Sequence, residues 1–126
     1  MANIRFQIII NELSIKNNYL EDGEFSVVPK FTRNYWVESG NTGFVRLIVE
    51  LKNTEENAFP IDITVDITGA FTIDDTPEEQ IKEYLKYQAV RVILPYARTM
   101  VTNLTTTALA SPIILPLMDP AEMFTD

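Results

Sequence analysis

The sequence predicts a two-layer α+β fold in which four strands come first and helices follow. Up to about residue 68 apolar and polar residues alternate with the period of two that is typical of strands. After residue 76 apolar residues recur every three or four positions, as they do along one face of a helix. The chain has 126 residues, 46% of them hydrophobic, which suffices for one core. We therefore expect residues 1–126 to form a single domain.

The four predicted strands are marked with different clarity. Strand one alternates over residues 4–10. Strands three and four alternate over 45–51 and 59–67 on either side of a polar segment, which predicts a hairpin with one solvent-exposed face. Strand two, within 24–36, is rich in β-branched and aromatic residues but contains Pro29, which cannot donate a ladder hydrogen bond. We therefore expect strand two to be irregular or to lie at an edge.

Two helix starts follow the strands. Residues 76–79, Thr-Pro-Glu-Glu, combine an N-cap hydroxyl, a proline at the first helical position and a glutamate at the third, which predicts a capping box. Residues 119–122, Asp-Pro-Ala-Glu, predict a second cap and a terminal turn. Between them the apolar helical stripe is interrupted by Pro95, where we expect a bend or the join of two helices. Ser111 and Pro112 are expected to end the long helix.

Composition excludes several classes of function. Asp and Glu number 18 against 10 Lys and Arg, and the resulting net charge of -8 argues against nucleic-acid binding. The chain has no cysteine and no histidine, which removes disulfides, thiolate and imidazole metal ligands and the histidine-dependent catalytic triads. The acidic run at 74–79 lacks the spacing of a calcium loop and is interpreted as a solvated helix N-terminus. We expect no catalytic residues, no metal and no cofactor.

The sequence also predicts where the protein resides. The N-terminus does not combine a basic region with an apolar run and a cleavage site, so no signal peptide is expected. The longest apolar stretches are a few residues, against the ~20 that a transmembrane helix needs. We therefore expect a cytoplasmic protein without membrane insertion.

Three motifs in the C-terminal half resemble the SecB family of export chaperones. They are GAFTI at 69–73, LPYAR at 94–98 and PIILP at 112–116, the last followed by the aromatic Phe124. The middle motif is the most specific, because its usual form is FPYAR. The resemblance implies a four-stranded antiparallel sheet packed on two helices and a homotetramer assembled as a dimer of dimers. It also implies a holdase that keeps unfolded polypeptides from aggregating and passes preproteins to the ATPase SecA.

Two departures from the family pattern concern SecA. Family members that deliver clients to SecA carry an extended tail after the final helix, whereas this sequence stops at Asp126. The acidic position on the outer face of the fourth strand falls at Thr64, flanked by Asp62 and Asp66 on the same face. We therefore expect weak SecA binding, with Asp62 and Asp66 as the candidate SecA-facing acidic surface.

A set of aromatic and apolar residues exceeds what the core easily absorbs, and we interpret it as a client-binding groove. An unfolded chain offers apolar side chains, so its receptor needs an apolar groove that adapts in shape. The alternative is that these residues complete the core or a subunit interface. The predicted groove residues are Tyr35, Trp36, Phe44, Ile113, Leu115, Leu117, Met118 and Phe124.

Three residues of the long helix are interpreted as structural or interface residues: Tyr96, Arg98 and Val101. Arg98 is expected to pair with a carboxylate across an interface, because a buried charge needs a partner, and Tyr96 to anchor the helix to the sheet. The alternative places Tyr96 and Arg98 in the client groove.

The functional prediction is an ATP-independent holdase for unfolded polypeptides or preproteins that acts as a homo-oligomer. One alternative is a SecB-like chaperone dedicated to one client, such as an antitoxin, that works without SecA. The other alternative is an enzyme or a small-ligand binder on the same fold.

Overall fold

The structure, a computed structural model, describes residues 3–21, 23–108, 113–115 and 118–124. The elements in chain order are β1 (Ile4–Asn17), β2 (Lys30–Ser39), β3 (Thr42–Leu51), β4 (Ile61–Ile73), α1 (Glu78–Lys86), α2 (Gln88–Ala108) and a short α3 (Pro120–Met123). The strands form one antiparallel sheet in the order β1-β4-β3-β2, so β3 and β4 form the predicted hairpin. The predicted α+β fold, a four-stranded antiparallel sheet packed on two helices, is confirmed.

One face of the sheet packs against α1 and α2. Alternate residues of β3 and β4 point to this face and are buried, which is the period of two that the sequence predicts. Gly69 of β4 permits the close approach of α2, because a Cβ added there would lie 2.9 Å from Cγ2 of Ile93. The largest fully buried side chains are Val45, Leu47, Val49, Leu51, Ile61, Ile63, Ile67, Phe71, Ile81, Leu85, Ile93 and Leu115.

β1 lies at one edge of the sheet and contains a bulge. The register shifts between Ile10 and Glu12, so Asn11 is the extra residue. Before the bulge the even-numbered residues from Ile4 to Ile10 face the helices, and after it the odd-numbered residues Leu13 and Ile15 do. Much of this helix-facing side of β1 is exposed, because α1 packs on β2 and β3 at the other side of the sheet and leaves β1 to α2.

β2 lies at the other edge, which is one of the two outcomes expected for a strand next to a proline. Residues 23–29 have no regular structure, and the strand begins at Lys30, directly after Pro29. Pro29 therefore stays out of the ladder, as its missing N–H requires.

The two predicted helix caps have different outcomes. The capping box at 76–79 was predicted wrongly: α1 begins at Glu78, with Pro77 in the N-cap position and no side-chain cap. The Thr76 hydroxyl instead donates to the Asp74 carbonyl at 2.9 Å, a local turn bond that competes with capping. The second cap is confirmed, because Asp119 Oδ1 accepts from the Ala121 N–H at 3.1 Å.

The join between the two helices is at Tyr87, not at Pro95. Tyr87 ends α1 with non-helical angles (φ -132°, ψ -47°), and α2 continues through Pro95. Pro95 and Arg91, whose carbonyl has no N–H of residue 95 to bond, are both exposed residues. The predicted helix end at Ser111 and Pro112 lies outside the described residues. Within the part of the chain that the structure describes, no helix is long and apolar enough to cross a membrane.

Candidate functional site

The predicted groove residues that the structure describes do not form one continuous surface within the chain. Trp36 and Phe44 are opposite each other in the register and point away from the helices, whereas Tyr35 points toward the helices. The other members belong to the C-terminal region, where Leu115 is a core residue and Ile113 and Phe124 pack against the core. Met118 is exposed, and Leu117 lies outside the described residues.

Trp36 and Phe44 form an aromatic stack on the outer face of the sheet. Their ring centroids lie 5.4 Å apart with an interplanar angle of 16°, which is a stabilising cross-strand pair. Trp36 is 43% exposed, and Ile9 of β1 lines the same shallow concavity across the sheet. These three residues, named here the outer-face patch, leave apolar surface open to solvent.

Asp66 is not a free acidic group. Arg46 Nε and a terminal nitrogen of its guanidinium donate to the two carboxylate oxygens at 2.9 and 2.5 Å, and the Asn11 amide donates at 3.0 Å. The hydrogen bond from Arg46 lowers the pKa of Asp66, and the Asn11 hydrogen bond and the Arg46 charge add to this, against the opposing effect of burial. Asp66 is only 6% exposed. Its charge is therefore neutralised within the chain.

Asp62 also has partners inside the chain. Burial opposes its ionisation, but the Asn53 N–H at 2.8 Å and the Asn18 amide at 3.0 Å, with the charges of Lys52 and Lys16, outweigh burial and lower its pKa. The predicted acidic surface is consequently a face of mixed charge. A role of Asp62 and Asp66 toward SecA stays a prediction.

Arg33 organises the helix-facing side of β2. Its guanidinium carbon lies 4.3 Å from the ring centroid of Phe124 and 5.4 Å from those of Tyr35 and Tyr87, distances at which a cation attracts an aromatic ring. The same guanidinium donates to the Lys86 carbonyl at the end of α1. Arg33 thereby holds β2, the helix join and the C-terminal aromatic residue together, and it accounts for the positions of Tyr35 and Phe124.

The tripeptide 113–115 lies along α2 and is held by side chains of that helix. Arg98 Nε and a terminal nitrogen of its guanidinium donate to the Leu115 carbonyl at 3.2 and 3.0 Å. Thr102 Oγ1 donates to the Ile113 carbonyl at 2.9 Å, and Thr105 Oγ1 accepts from the Ile113 N–H at 2.8 Å. Within the chain, Arg98 therefore binds a main-chain carbonyl, and its pairing with a carboxylate across an interface stays a prediction.

A second exposed apolar surface runs along β1 and the neighbouring side of α2. Phe6 and Tyr96 meet edge to face with ring centroids 6.2 Å apart, and Tyr96 is 45% exposed. Val101 is fully buried in the core of its own chain, whereas its neighbour Met100 is half-buried at the surface. This surface, named here the β1–α2 face, consists of Ile4, Phe6, Ile10, Leu13, Tyr96 and Met100.

Asp74, in the acidic run after β4, has polar partners from two other parts of the chain. Asp74 accepts from Arg5 at 3.3 Å and from the Asn41 amide at 3.0 Å. In the parts of the chain that the structure describes, no group of three or more potential metal-ligating side chains is close enough to hold an ion.

Comparison with known proteins identifies the family. The model of the family described as SecB, preprotein translocase subunit SecB, matches residues 9–126. The chain belongs to the SecB family. The three motifs that resemble SecB therefore reflect membership, and the structure gives two of them a physical link, because Arg98 of LPYAR donates to Leu115 of PIILP.

Individual relatives are distant in sequence. The protein-export protein SecB of Dinoroseobacter shibae is 28% identical over 75 residues, which cover 60% of this chain and 44% of that protein. An uncharacterized protein of Methanocaldococcus jannaschii is 24% identical over 79 residues, which cover 60% of this chain and 51% of that protein. The chain thus spans about half the length of the curated relatives it matches.

A solved SecB-like structure shares the fold. The Mycobacterium tuberculosis SecB-like chaperone Rv1957, in complex with a ChAD peptide from the HigA1 antitoxin Rv1956, superposes with a TM-score of 0.75 at 19% sequence identity. The match covers 94% of this chain and 91% of that chain. At this identity the likeness establishes a common architecture.

Sequence reasoning missed three residues that organise the site. Arg33 interrupts the apolar series 31, 35 and 37 on the helix-facing side of β2, and a charge at such a position indicates a buried partner. The sequence does not indicate the roles of Thr102 and Thr105, because the hydroxyl of a helical threonine often bonds to a carbonyl of its own helix and needs no outside partner.

Proposed function

We propose that this SecB-family chain is an ATP-independent holdase that binds unfolded polypeptides and keeps them from aggregating. The family match over residues 9–126 carries the proposal. In this proposal the chain acts as one domain in the cytoplasm, without a cofactor and without an enzymatic step. Binding depends on burial of apolar surface, which needs no nucleotide.

The exposed apolar surfaces are suited to this role. The outer-face patch offers two stacked aromatic rings to an unfolded chain, and aromatic residues anchor many protein interfaces. Trp36 belongs to the edge strand β2, whose outer side pairs with no other strand among the described residues, so an extended client can add main-chain hydrogen bonds there. Both contacts tolerate many client sequences, which a holdase requires.

We also propose that the chain forms a homo-oligomer through the β1–α2 face, with a dimer of dimers as the assembly. A long edge strand with exposed apolar side chains is a template for association, and a closed symmetric assembly covers such an edge. Tyr96 and Met100 extend the same face onto α2. Val101 supports the fold of each subunit instead.

A second candidate function is that of a chaperone dedicated to one client, such as an antitoxin, that works without SecA. The Arg46–Asp66 pair favours it, because neutralised Asp66 cannot contribute a free charge to an acidic SecA-binding surface. The shared fold with Rv1957, whose structure contains an antitoxin peptide, is consistent with this candidate. We accordingly propose that any SecA binding is weak.

Suppression of aggregation tests the proposal and separates the two candidates. Unrelated enzymes diluted from denaturant should scatter less light when the protein is present, with no nucleotide added. A general holdase should protect all of them. A dedicated chaperone should protect a single class of client, and an enzyme or small-ligand binder should protect none.

A further inference from the structure

The tripeptide 113–115 is bound to α2 in the way that a foreign extended peptide would be bound. Each hydrogen bond between it and the helix joins a side chain of α2 to a main-chain group of the tripeptide. Arg98 and Thr102 contact its carbonyls, and Thr105 contacts an N–H. These three helix residues are named here the α2 site.

Main-chain recognition makes few demands on sequence. Every residue carries the same carbonyl, so Arg98 and Thr102 can bind an extended segment of almost any composition. The side-chain requirement of the α2 site is mainly Leu115, which is 1% exposed; Ile113 is half-buried against the core, and Ile114 is 70% exposed. A segment with one leucine-sized side chain at the position of Leu115 and a second apolar side chain two residues earlier meets the main-chain and side-chain requirements.

We propose that the α2 site is a client-binding site and that the tripeptide 113–115 occupies it as an internal competitor. This inference rests on the proposed holdase function and adds to it the site, the class of ligand and a built-in competition. The ligand is an extended segment of an unfolded chain whose leucine-sized side chain replaces Leu115. In this proposal Ile113 and Leu115 belong to the internal segment that competes with the client. The sequence alone predicts instead that they line the client-binding groove.

The competition has a thermodynamic consequence. A client binds only the molecules in which the α2 site is open, so its apparent affinity is the intrinsic affinity reduced by the open fraction. Fixing the tripeptide in place should abolish binding at this site, and weakening its attachment should tighten client binding. Both changes can be made without altering the outer-face patch.

The locking experiment uses the absence of cysteine in the chain. Thr102 Oγ1 lies 2.9 Å from the Ile113 carbonyl, so residues 102 and 113 are in contact. Loss of free thiol on oxidation of the double variant Thr102→Cys/Ile113→Cys confirms that the disulfide has formed before client binding is measured. A fluorescently labelled, reduced and carboxymethylated α-lactalbumin serves as a permanently unfolded client without free thiols. We expect the oxidised variant to bind it at least about tenfold more weakly than the same variant after reduction. The cysteine-free wild type should respond to neither oxidant nor reductant.

A matched pair of substitutions tests the opposite direction. Leu115→Ala removes the buried side chain of the tripeptide and should tighten client binding by about tenfold. Ile114→Ala removes an exposed side chain of the same tripeptide and should leave client binding unchanged. Circular dichroism shows that each variant compared is folded, and if Leu115→Ala does not fold, the reversible crosslink decides the question.

The outcomes separate this inference from the function on which it rests. If the wild type binds no unfolded client and suppresses no aggregation, the holdase proposal fails and the inference fails with it. If the wild type binds clients and the oxidised double variant binds them equally well, the holdase proposal stands and the α2 site is overturned. Equal client affinity of folded Leu115→Ala and Ile114→Ala would overturn it as well.

Discussion

A negative charge introduced at two adjacent residues of α2 should have two different effects, one on folding and one on assembly. Val101 is fully buried in its own subunit, whereas Met100 is half-buried on the β1–α2 face. Val101→Glu should therefore unfold the subunit, and Met100→Glu should leave the subunit folded but dissociate the oligomer. The pair has the same charge change at neighbouring positions, so each variant is the control for the other.

The magnitudes follow from burial. A glutamate at position 101 must be protonated to remain in the core, and at pH 7 this alone costs about 3.7 kcal/mol, because its ordinary pKa is near 4.3. That cost is a large part of the stability of a small domain, about 5 to 15 kcal/mol. At position 100 the charge stays hydrated in the monomer and becomes unpaired only in the interface. We expect a loss of about 2 to 4 kcal/mol in association, or roughly 30- to 700-fold in Kd.

Light scattering after size exclusion measures assembly, and urea titration followed by circular dichroism measures folding. A wild type that is monomeric at micromolar concentration would contradict an interface on the β1–α2 face. Assembly of Met100→Glu like the wild type, or unfolding of Val101→Glu at the wild-type urea concentration, would contradict the assigned positions of these two residues.

Three further predictions concern the sheet. Trp36→Ala should weaken client binding by about 1 to 3 kcal/mol, measured by fluorescence anisotropy. The control variant Tyr19→Ala removes an exposed aromatic ring outside the outer-face patch and should leave client affinity unchanged. Equal client affinities of the two variants would exclude Trp36 as an anchor. Because the folded pKa of Asp66 is lowered, the stability it contributes is complete above the ordinary aspartate pKa near 3.9 and is lost as pH falls through the folded value. Asp66→Asn should therefore reduce stability to urea at pH 7 more than at pH 3, and equal losses would refute this linkage. Gly69→Ala should lower the free energy of unfolding, measured by urea titration, by about 1 to 3 kcal/mol, because the added Cβ would lie 2.9 Å from Cγ2 of Ile93. A variant as stable as the wild type would contradict the close packing of α2 on β4.

Elements that depend on local periodicity were predictable from sequence. The alternation in β3 and β4 determines which side chains are buried, so the hairpin and much of the core follow from the pattern. The cap at Asp119 follows from residue type and spacing. The capping box at Thr76 was wrong because the same hydroxyl has a competing acceptor, the Asp74 carbonyl, in the preceding turn.

The candidate site was less predictable, because its geometry depends on contacts between distant parts of the chain. An apolar pattern does not distinguish Leu115, which fills the core, from Ile114, which faces solvent. The outward direction of Trp36 depends on the β2–β3 register, and the neutralisation of Asp66 depends on Arg46 from the adjacent strand. The bulge at Asn11 likewise gave no sequence signal.

ATP-independent holdase activity is measured by client aggregation in the absence of nucleotide. A chemically unfolded client is diluted into buffer with increasing amounts of the wild-type protein, and light scattering is recorded. We expect scattering to fall to baseline near a stoichiometric ratio and moderate salt not to abolish the effect, because binding buries apolar surface. Undiminished scattering for every client at a severalfold excess of folded protein would contradict this activity.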